Sequence, residues 1–208
     1  MLDRFGAPEW REIEDRWLRG EIASTQTLPA QFASVRAPRE ELEAFCLRAT
    51  LAEGFKEFAR FLASRSAPLV VLSDGLDFYI SLTLRRLGLE NVPFAANSAA
   101  PSPQGVLVTF PHSDASCHQC GVCKCAFVEA GAEMAEERWY IGDGLSDWCA
   151  SRRAGRTHAK DSLLRLRRRF GPPAEEFDGF PALREEAERV LEARGQRCEN
   201  RDGGNSSA

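Results

Sequence analysis

Long apolar runs are missing from this sequence. No stretch approaches the roughly 20 consecutive apolar residues that an α-helix needs to span a bilayer. The opening residues, MLDRFGAPEW, also lack the apolar region of a secretory signal peptide. These absences predict a cytoplasmic protein without membrane contact, in which the seven cysteines are reduced thiols or metal ligands and not disulfides.

An excess of positive charge is missing as well. The formal net charge is −4 and the isoelectric point is near 5.6, which argues against a general polyanion-binding protein. The basic run RLRRR at 165–169 is local, and it is more typical of a solvated helix face than of a nucleic-acid patch. We therefore expect no nucleic-acid partner.

The pattern that is present is an alternation of strands and helices. The first third reads as helices, beginning with APEWREIEDRWLRG, where Trp10, Ile13 and Trp17 recur at helical spacing. Helices then alternate with short apolar runs, which lie in APLVVLSDG, NVPFAAN, GVLVTF, ERWYIGDG and RTHAK. This order predicts a three-layer α/β fold, a parallel sheet with helices on both faces. Functional loops in such sheets follow the carboxyl ends of the strands.

Two carboxylates lie in one such loop, IGDGLSD. Asp143 follows the predicted strand directly, and Asp147 comes four residues later. Carboxylate oxygens are hard ligands of the kind that Mg²⁺ prefers. We therefore expect Asp143 to contact a magnesium ion, and Asp147 to contact it through water or to hold the loop. A cap of the following helix is the alternative role for Asp147.

Two further positions suit a phosphate group. Ser73 begins the turn Ser73-Asp74-Gly75 at the end of another strand, and a hydroxyl with unpaired turn N–H groups forms a phosphate cradle. An ordinary turn is the alternative. Lys124 lies between the two loops in sequence and would neutralise charge on a transferring phosphoryl group. A lysine taken alone would be a surface residue.

Taken in order, a strand ending in serine, a lysine and a strand ending in GDGxSD resemble the phosphatases of the haloacid dehalogenase superfamily. The matching stretches are APEWREIEDRW, VVLSDGLDFYI, CHQCGVCK, YIGDGLSD and THAKDSLL, spread over nearly the whole chain. The chain is most similar to the methionine-salvage phosphatase subgroup of subfamily IB. This resemblance implies a Rossmann-like core with a helical cap, a Mg²⁺ cofactor and a small phosphorylated metabolite as substrate.

The resemblance also implies roles for single residues. Ser73 corresponds to the residue that hydrogen-bonds the transferring phosphoryl group, and Lys124 corresponds to the family's positive charge. Asp143 corresponds to a magnesium ligand, and Asp147 to the second acid of the same motif. Asn97 follows the strand NVPFAA and corresponds to a position near the site, with a turn residue as the alternative.

The predicted organisation has three parts. Residues 1–50 form a helical cap, 51–195 form the core and 196–208 form a disordered tail. The cap in this family covers the site and selects the substrate. The candidate specificity residues in it are Trp10, Glu12, Glu14 and Trp17. Core packing is the alternative role for an aromatic residue in a cap helix.

The catalytic pair that this family requires is missing. The family's first motif, Asp-x-Asp, ends its first core strand; the first Asp attacks phosphorus, and the second protonates the leaving group. This sequence contains no Asp-x-Asp, and the lookalike at 176–178, Glu-Phe-Asp, follows no apolar strand. We therefore expect a fold that lacks the first core strand, a sequence truncated at its N-terminus, and an inactive chain.

A cluster of cysteines precedes the predicted phosphate-binding lysine. The stretch CHQCGVCKC contains Cys117, Cys120, Cys123 and Cys125. Two Cys-x-x-Cys steps can chelate zinc or contribute to an iron–sulfur site, but tetrahedral zinc sites usually draw ligands from two separated pairs. We expect structural or redox-sensitive thiols here, and a bound soft metal is the alternative.

Two other functions stay open at this point. A pseudophosphatase would keep a phosphate pocket or a partner-binding surface without turnover. A cysteine-based metal or redox protein would use the cluster as its functional centre.

Overall fold

The computed structural model describes residues 1–102, 105–115, 117, 119–131 and 138–202. The order of its helices and strands is that of an α/β protein, which confirms the predicted fold class. The chain divides into two compact units. The first comprises Met1–Thr50 and Leu69–Glu176, and the second comprises Leu51–Pro68 and Phe177–Ala208. Within the described residues, no helix combines the length and the apolar character that a membrane span requires.

Four helices occupy the first 50 residues, which belong to the first unit. They are α1 (Leu2–Phe5), α2 (Trp10–Leu18), α3 (Ser24–Phe32) and α4 (Arg39–Cys46). Pro38 directly precedes α4, where its fixed φ suits the entry into a helix. The buried residues that join these helices to the first sheet are Phe32, Val35, Leu42, Leu76, Val106 and Val108. The predicted cap boundary at residue 50 coincides with a unit boundary, but residues 1–50 fall in the same compact unit as 69–176.

The first sheet contains one parallel and one antiparallel pair. Its strands are β1 (Val71–Leu76), β2 (Phe94–Ser102) and β3 (Gly105–Thr109), and α6 (Asp77–Leu87) connects β1 to β2. β1 and β2 run parallel, as a helical crossover requires, whereas β2 and β3 run antiparallel. The run GVLVTF is therefore the second arm of a hairpin.

The second sheet is parallel throughout. Its strands are β4 (Trp139–Gly142), β5 (Arg156–Ala159) and β6 (Glu175–Glu176), paired in that order. The helices of this part are α7 (Lys124–Ala130), α8 (Trp148–Ser151) and α9 (Asp161–Phe170). The two-residue strand β6 was missed by the sequence analysis, because two glutamates carry no strand signal of their own.

The described strands form two sheets of three, where the sequence predicted a parallel sheet that lacks its first core strand. β1 and β4 each pair with a neighbour on one side only. Five of the six residues of β1 and three of the four residues of β4 are only partly buried. A strand in the middle of a parallel sheet is normally buried on both faces. The break between the sheets thus agrees with the expectation that a core strand is lacking.

The second unit is built from two helices. They are α5 (Phe55–Ser64) and α10 (Phe180–Asp202). The ring of Phe180 contacts those of Phe55 and Phe58 at centroid distances of 5.1 and 5.3 Å, which is the range of favourable aromatic pairs. The sequence predicts a disordered tail from residue 196, whereas the described part of that tail, 196–202, continues α10. Residues 203–208 lie outside the described residues.

Candidate active site

Asp147 is the most heavily hydrogen-bonded side chain at the carboxyl end of β4. Its Oδ1 accepts hydrogen bonds from Lys124 Nζ at 2.5 Å and from the Tyr140 hydroxyl at 2.7 Å. Its Oδ2 accepts the backbone N–H groups of Asp143 and Gly144, both at 3.0 Å. A carboxylate offers about four acceptor positions, and here all of them are used. Asp147 therefore holds the loop, which is one of the three roles that the sequence allowed.

The loop can close on Asp147 because glycine precedes it. A Cβ on Gly142 would lie 2.7 Å from Asp147 Oδ2, closer than a side chain tolerates. A 3₁₀ turn over Leu145–Asp147 then brings the carboxylate back under the end of β4. The sequence IGDGLSD thus encodes both a carboxylate and the space that it needs.

Asp147 and Lys124 form a buried ion pair, with side-chain exposures of 8% and 6%. Burial disfavours the ionised Asp147, but the charge and hydrogen bond of Lys124 outweigh it and lower the pKa of that carboxyl. Burial, together with the charge of Asp147, raises the pKa of Tyr140 well above its usual value. Tyr140 is therefore a neutral donor to a carboxylate that is ionised at neutral pH.

Asp143 has the opposite surroundings. Its side chain is exposed, and no donor or cation among the described residues contacts its carboxylate. Its backbone carbonyl accepts the Leu163 N–H and the Ser162 hydroxyl, both at 2.9 Å. The backbone is thus fixed while the carboxylate stays available to a hard cation. This donor set fits a Mg²⁺ ion that keeps most of its waters.

Lys124, the first residue of α7, points into the same site. Its Nζ donates to Ser146 Oγ at 3.0 Å and to Asp147 at 2.5 Å. An ammonium group carries three N–H donors. Within the described residues the third has no acceptor, so it remains for an anion. The sequence analysis named Lys124 and Asp147 separately, and the structure brings them into direct contact.

The sequence predicts a turn at Ser73-Asp74-Gly75, but these residues lie inside β1, in the part where its pairing with β2 is irregular. This part of the strand is organised by Asp74 and not by Ser73. Asp74 Oδ1 accepts the N–H groups of Gly121 and Val122 at 2.8 and 2.9 Å. Its Oδ2 accepts the Ser24 hydroxyl at 2.5 Å. Ser73 Oγ accepts the Gly75 N–H at 3.0 Å, and its own hydrogen has no acceptor in the described structure. Ser73 therefore remains able to donate to a phosphate, whereas the carboxylate of Asp74 is occupied.

Asn97 lies in β2 beside this part of β1 and is fully buried. Its Nδ2 donates to the Asp74 carbonyl at 2.8 Å, while its Oδ1 has no donor among the described residues. A Cβ on Gly121 would lie 2.6 Å from that Oδ1, so glycine is needed there for the loop to pack against Asn97. Asn97 therefore supports the packing of the loop at Gly121, and it lies in a strand and not in a turn.

A cavity of about 140 Å³ joins the two loops to the cap helices. It is lined by Glu14, Trp17, Ser24, Thr27, Leu28, Gln31, Asp74 and Ser146. Asp74 lies within β1 and Ser146 follows β4, so both open-edged strands reach one cavity. Glu14 Oε2 accepts the Gln31 amide at 2.8 Å.

The four cap candidates separate in the structure. Glu14 and Trp17 line the cavity beside the loops. Trp10 instead lines a different cavity of about 390 Å³, together with Met1 and Phe45, and Glu12 is exposed. Only Glu14 and Trp17 are therefore placed to contact a substrate held at the two loops.

The cysteines do not gather around one point. The thiols of Cys120 and Cys123 hydrogen-bond to the sulfur of Cys117. Cys125 instead accepts a hydrogen bond from Arg153 Nη1 at 2.9 Å. Among the described residues, no three cysteine sulfurs lie within 4.8 Å of one another. The arrangement favours thiols over a tetrahedral metal centre.

Two site residues were missed or misread by the sequence analysis. Ser24 was not among the predicted site residues, but it joins the indole of Trp17 (3.1 Å) to Asp74. Ser146 was passed over, although it stands between the two carboxylates of IGDGLSD and contacts Lys124. The position of Ser146 was a usable signal, whereas the Ser24 contact spans 50 residues and had none.

Comparison with known proteins gives a consistent result. A family model described as Putative Phosphatase matches residues 25–171. A 2-hydroxy-3-keto-5-methylthiopentenyl-1-phosphate phosphatase of Bacillus pumilus is 27% identical over 201 residues, covering 93% of this chain and 85% of the relative. The protein of the same description from Geobacillus kaustophilus is 29% identical over 184 residues, covering 86% of this chain and 83% of the relative.

Solved structures show the same fold. A phosphoserine phosphatase with an analogue of its phospho-aspartyl intermediate superposes with a TM-score of 0.62 at 19% identity, covering 86% of this chain and 84% of the other. A substrate-bound phosphoserine phosphatase gives a TM-score of 0.62 at 20% identity with the same coverage. Likeness at this level of identity concerns the fold, and it agrees with the haloacid dehalogenase architecture implied by the sequence.

Proposed function

The chain belongs to the Putative Phosphatase family, and we propose that it is the larger part of a magnesium-dependent phosphomonoesterase that acts on a small phosphorylated metabolite. One observation carries this proposal: Lys124, Asp147 and Ser146 meet at the end of β4, beside the cavity that Asp74 also lines. Two segments that are distant in sequence would thus contribute to one phosphate site.

The proposed roles follow from the hydrogen-bond donors that have no acceptor among the described residues. The third N–H of Lys124 and the hydroxyl hydrogen of Ser73 bind the phosphoryl oxygens, and the charge of Lys124 stabilises the charge that develops during transfer. Asn97 and the carboxylate of Asp74 position the part of β1 that holds Ser73 without touching the substrate. Asp147 fixes Lys124 and the loop of Asp143.

A Mg²⁺ ion is proposed at Asp143. Its carboxylate is exposed and has no protein partner among the described residues, which suits direct coordination. Both oxygens of Asp147 already accept hydrogen bonds within the protein. Asp147 therefore supports the metal site indirectly, by holding the loop that carries Asp143. The ion, when bound, would offset the negative charge of the phosphoryl group.

The nucleophile is proposed to lie outside the 208 residues. The sequence has no Asp-x-Asp, and neither Asp143 nor Asp147 is suited to attack phosphorus, since the first is assigned to the metal and the second is fully hydrogen-bonded. The unpaired edges of β1 and β4 support the proposal that a strand carrying the missing pair belongs between them. Strands in a sheet lie about 4.8 Å apart, so one strand bridges about 10 Å. The chain as given is therefore proposed to be inactive.

The substrate is proposed to be a small phosphate ester in the cytoplasm. The relatives' description as methylthiopentenyl-phosphate phosphatases makes a methylthio-sugar phosphate the first choice. The cavity offers an apolar wall of Trp17 and Leu28 and a hydrogen-bonding wall of Glu14 and Gln31. A ligand with an apolar tail and hydroxyl groups would satisfy both walls.

A non-catalytic role is the second candidate, and the lack of a nucleophile favours it. A pseudophosphatase would bind phosphate through Lys124 and Ser73 without turnover. A role as a cysteine metal protein has less support, because the sulfurs do not converge on one point.

Two chains would separate these functions: the 208 residues as they stand, and the same chain preceded by an apolar strand that ends in Asp-x-Asp. Both are assayed with an aryl phosphate, with and without Mg²⁺. We expect turnover only from the extended chain and only with Mg²⁺, while an Asn-x-Asp extension stays inactive. Magnesium-dependent turnover by the 208 residues would refute the proposed inactivity.

Binding completes the test. Inorganic phosphate is titrated calorimetrically into the 208-residue chain and its Ser73→Ala variant, with Ser81→Ala as a control outside the site. Weaker binding in Ser73→Ala alone supports the phosphate cradle. Absence of both phosphate binding and turnover in every folded chain would rule out the phosphatase proposal.

A further inference from the structure

The stretch CHQCGVCKC, from Cys117 to Cys125, is called the cysteine loop from here on. It carries a pair of thiols that the proposed phosphatase chemistry does not use. The sulfur of Cys117 accepts hydrogen bonds from the thiols of Cys120 and Cys123 and from the backbone N–H groups of Gln119 and Cys120. Cys117 and Cys120 are both partly exposed, whereas Cys123 is buried. The first two thiols are therefore close to each other and open to a small reagent.

The surroundings of Cys117 favour its thiolate. Burial acts against ionisation, but the two backbone N–H groups and the two neighbouring thiols donate to the sulfur, and the pKa of Cys117 falls below its usual value. Cys125 shows the contrast, because burial raises its pKa to about 11 despite the nearby Arg153. Oxidants react with the thiolate form, so the loop has one favoured point of attack.

Cys120 is the matching resolving thiol. Burial raises its pKa, and the negative charge and hydrogen bond of Cys117 raise it further. These two contributions disappear once Cys117 becomes a neutral sulfenic acid. The first oxidation thus prepares the second thiol to react.

We propose that Cys117 and Cys120 form a reversible disulfide when the protein meets hydrogen peroxide. The Cys117 thiolate attacks one peroxide oxygen, the O–O bond breaks, and hydroxide leaves and is protonated to water. Cys120 then attacks the sulfenic sulfur, and the sulfenic oxygen leaves as a second water with the Cys120 proton. Two thiols and one peroxide give one disulfide and two waters, and two electrons pass from sulfur to oxygen.

The disulfide would act on the loop that builds the site. Gly121 and Val122, the next two residues, donate their N–H groups to Asp74, and the Gln119 carbonyl accepts the Ser24 N–H at 2.9 Å. Closing a ring over 117–120 removes the thiol hydrogen bond that ties Cys120 to Cys117 and reshapes the turn before Gly121. We expect these backbone hydrogen bonds to weaken, so that oxidation loosens the loop.

Peptide mapping tests the pair directly in the full 208-residue chain. Reduced protein is treated with stoichiometric hydrogen peroxide, quenched and digested with trypsin without reductant. We expect the tryptic peptide 87–124 to lose about 2 Da, the mass of two hydrogens, and to regain it after dithiothreitol. Amide exchange in 119–124 should be faster in the oxidised protein than in the reduced protein.

Three variants fix the assignment. Cys117→Ser should abolish the mass loss, and Cys120→Ser should leave a Cys117 sulfenic acid that dimedone traps. Cys149→Ser, which removes an exposed cysteine outside the loop, should behave as wild type. A disulfide from Cys117 to Cys123, direct overoxidation of Cys117, or stoichiometric zinc on the reduced protein would overturn the proposal. Unchanged amide exchange on oxidation would overturn its effect on the loop. None of these readouts depends on phosphatase activity.

Discussion

Asp143 and Asp147 lie four residues apart but have opposite surroundings in this protein. Asp147 is buried and uses both oxygens inside the protein, whereas the carboxylate of Asp143 is exposed and has no described partner. The difference comes from the turn between them, which folds one carboxylate back onto the backbone of the other. One aspartate is therefore structural, and the other is available for a ligand.

Asparagine substitutions at these two positions should have very different effects on stability. Asp147→Asn removes the charge that pairs with buried Lys124, and breaking a buried pair costs about 3–5 kcal/mol. Asp143→Asn at an exposed site should change the free energy of unfolding by less than about 0.5 kcal/mol. Urea denaturation of both variants measures this. Equal effects would contradict the assigned roles.

The contribution of Asp147 should depend on pH in one direction. Its pKa is lowered in the folded protein, so the folded state holds the ionised form more tightly than the unfolded chain, where an Asp titrates at about 3.9. The stabilisation is thus complete above about pH 4 and is lost as the pH falls through the folded pKa. We expect the stability difference between wild type and Asp147→Asn to stay constant from pH 5 to 7 and to shrink below about pH 4. A difference that grows on acidification would be inconsistent with this sign.

At the scale of elements, a chain of hydrogen bonds connects the cap helices to both loops. It runs from Trp17 in α2 through Ser24 in α3 to Asp74, and from there to the cysteine loop. Lys124 at the end of that loop contacts Asp147. Helices that the sequence treats as a separate cap are thus bonded directly to the site.

Ser24→Ala should cost more than a serine-to-alanine change elsewhere in a helix. Ser24 is 3% exposed, and its loss removes the hydroxyl partner of Asp74 Oδ2 and of the Trp17 indole N–H, both partly buried, at about 1.5–3 kcal/mol. Ser81→Ala is the matched control, because Ser81 bonds only the Phe78 carbonyl of its own helix, and it should cost less than about 0.5 kcal/mol. Thermal and urea unfolding provide the comparison. A Ser24 variant as stable as the Ser81 variant would show that the chain of hydrogen bonds is dispensable.

At the scale of the whole molecule, the open edges of β1 and β4 are the main structural liability. Unpaired strand edges present N–H and C=O groups that can pair with another chain. Val70, just before β1, leaves 46% of its surface exposed. The described strands thus leave a polar and apolar edge that a further strand would cover.

We expect the 208-residue chain to self-associate with rising concentration. Sedimentation velocity over a hundredfold range of concentration measures this. The chain extended by an apolar strand should stay monomeric under the same conditions, because its edges are paired. A short chain that remains monomeric throughout would show that the edges are protected in another way.

The sequence by itself determined the order of elements, the loop after β4 and the family, whereas β1 continues to Leu76, past the predicted strand end at Ser73. Apolar runs that stop at Ser73 and Asp143 predict buried strands followed by functional loops, because a buried parallel strand needs a continuous apolar stretch and a loop does not. The missing Asp-x-Asp was equally visible, since it is a local motif. Patterns of neighbouring residues were sufficient for all three.

The tertiary structure alone decided what each polar group does. Asp74 and Asp143 look alike in sequence, each near the end of an apolar run, but the carboxylate of Asp74 accepts hydrogen bonds from Ser24 and two amides while that of Asp143 accepts none from the described residues. Those partners lie about 50 residues away, so no local pattern encodes them. The same holds for the division into two sheets, which depends on which strand edges find a partner. The sequence gives the type of each side chain directly. Contacts between distant segments decide whether its polar atoms are free to bind a ligand.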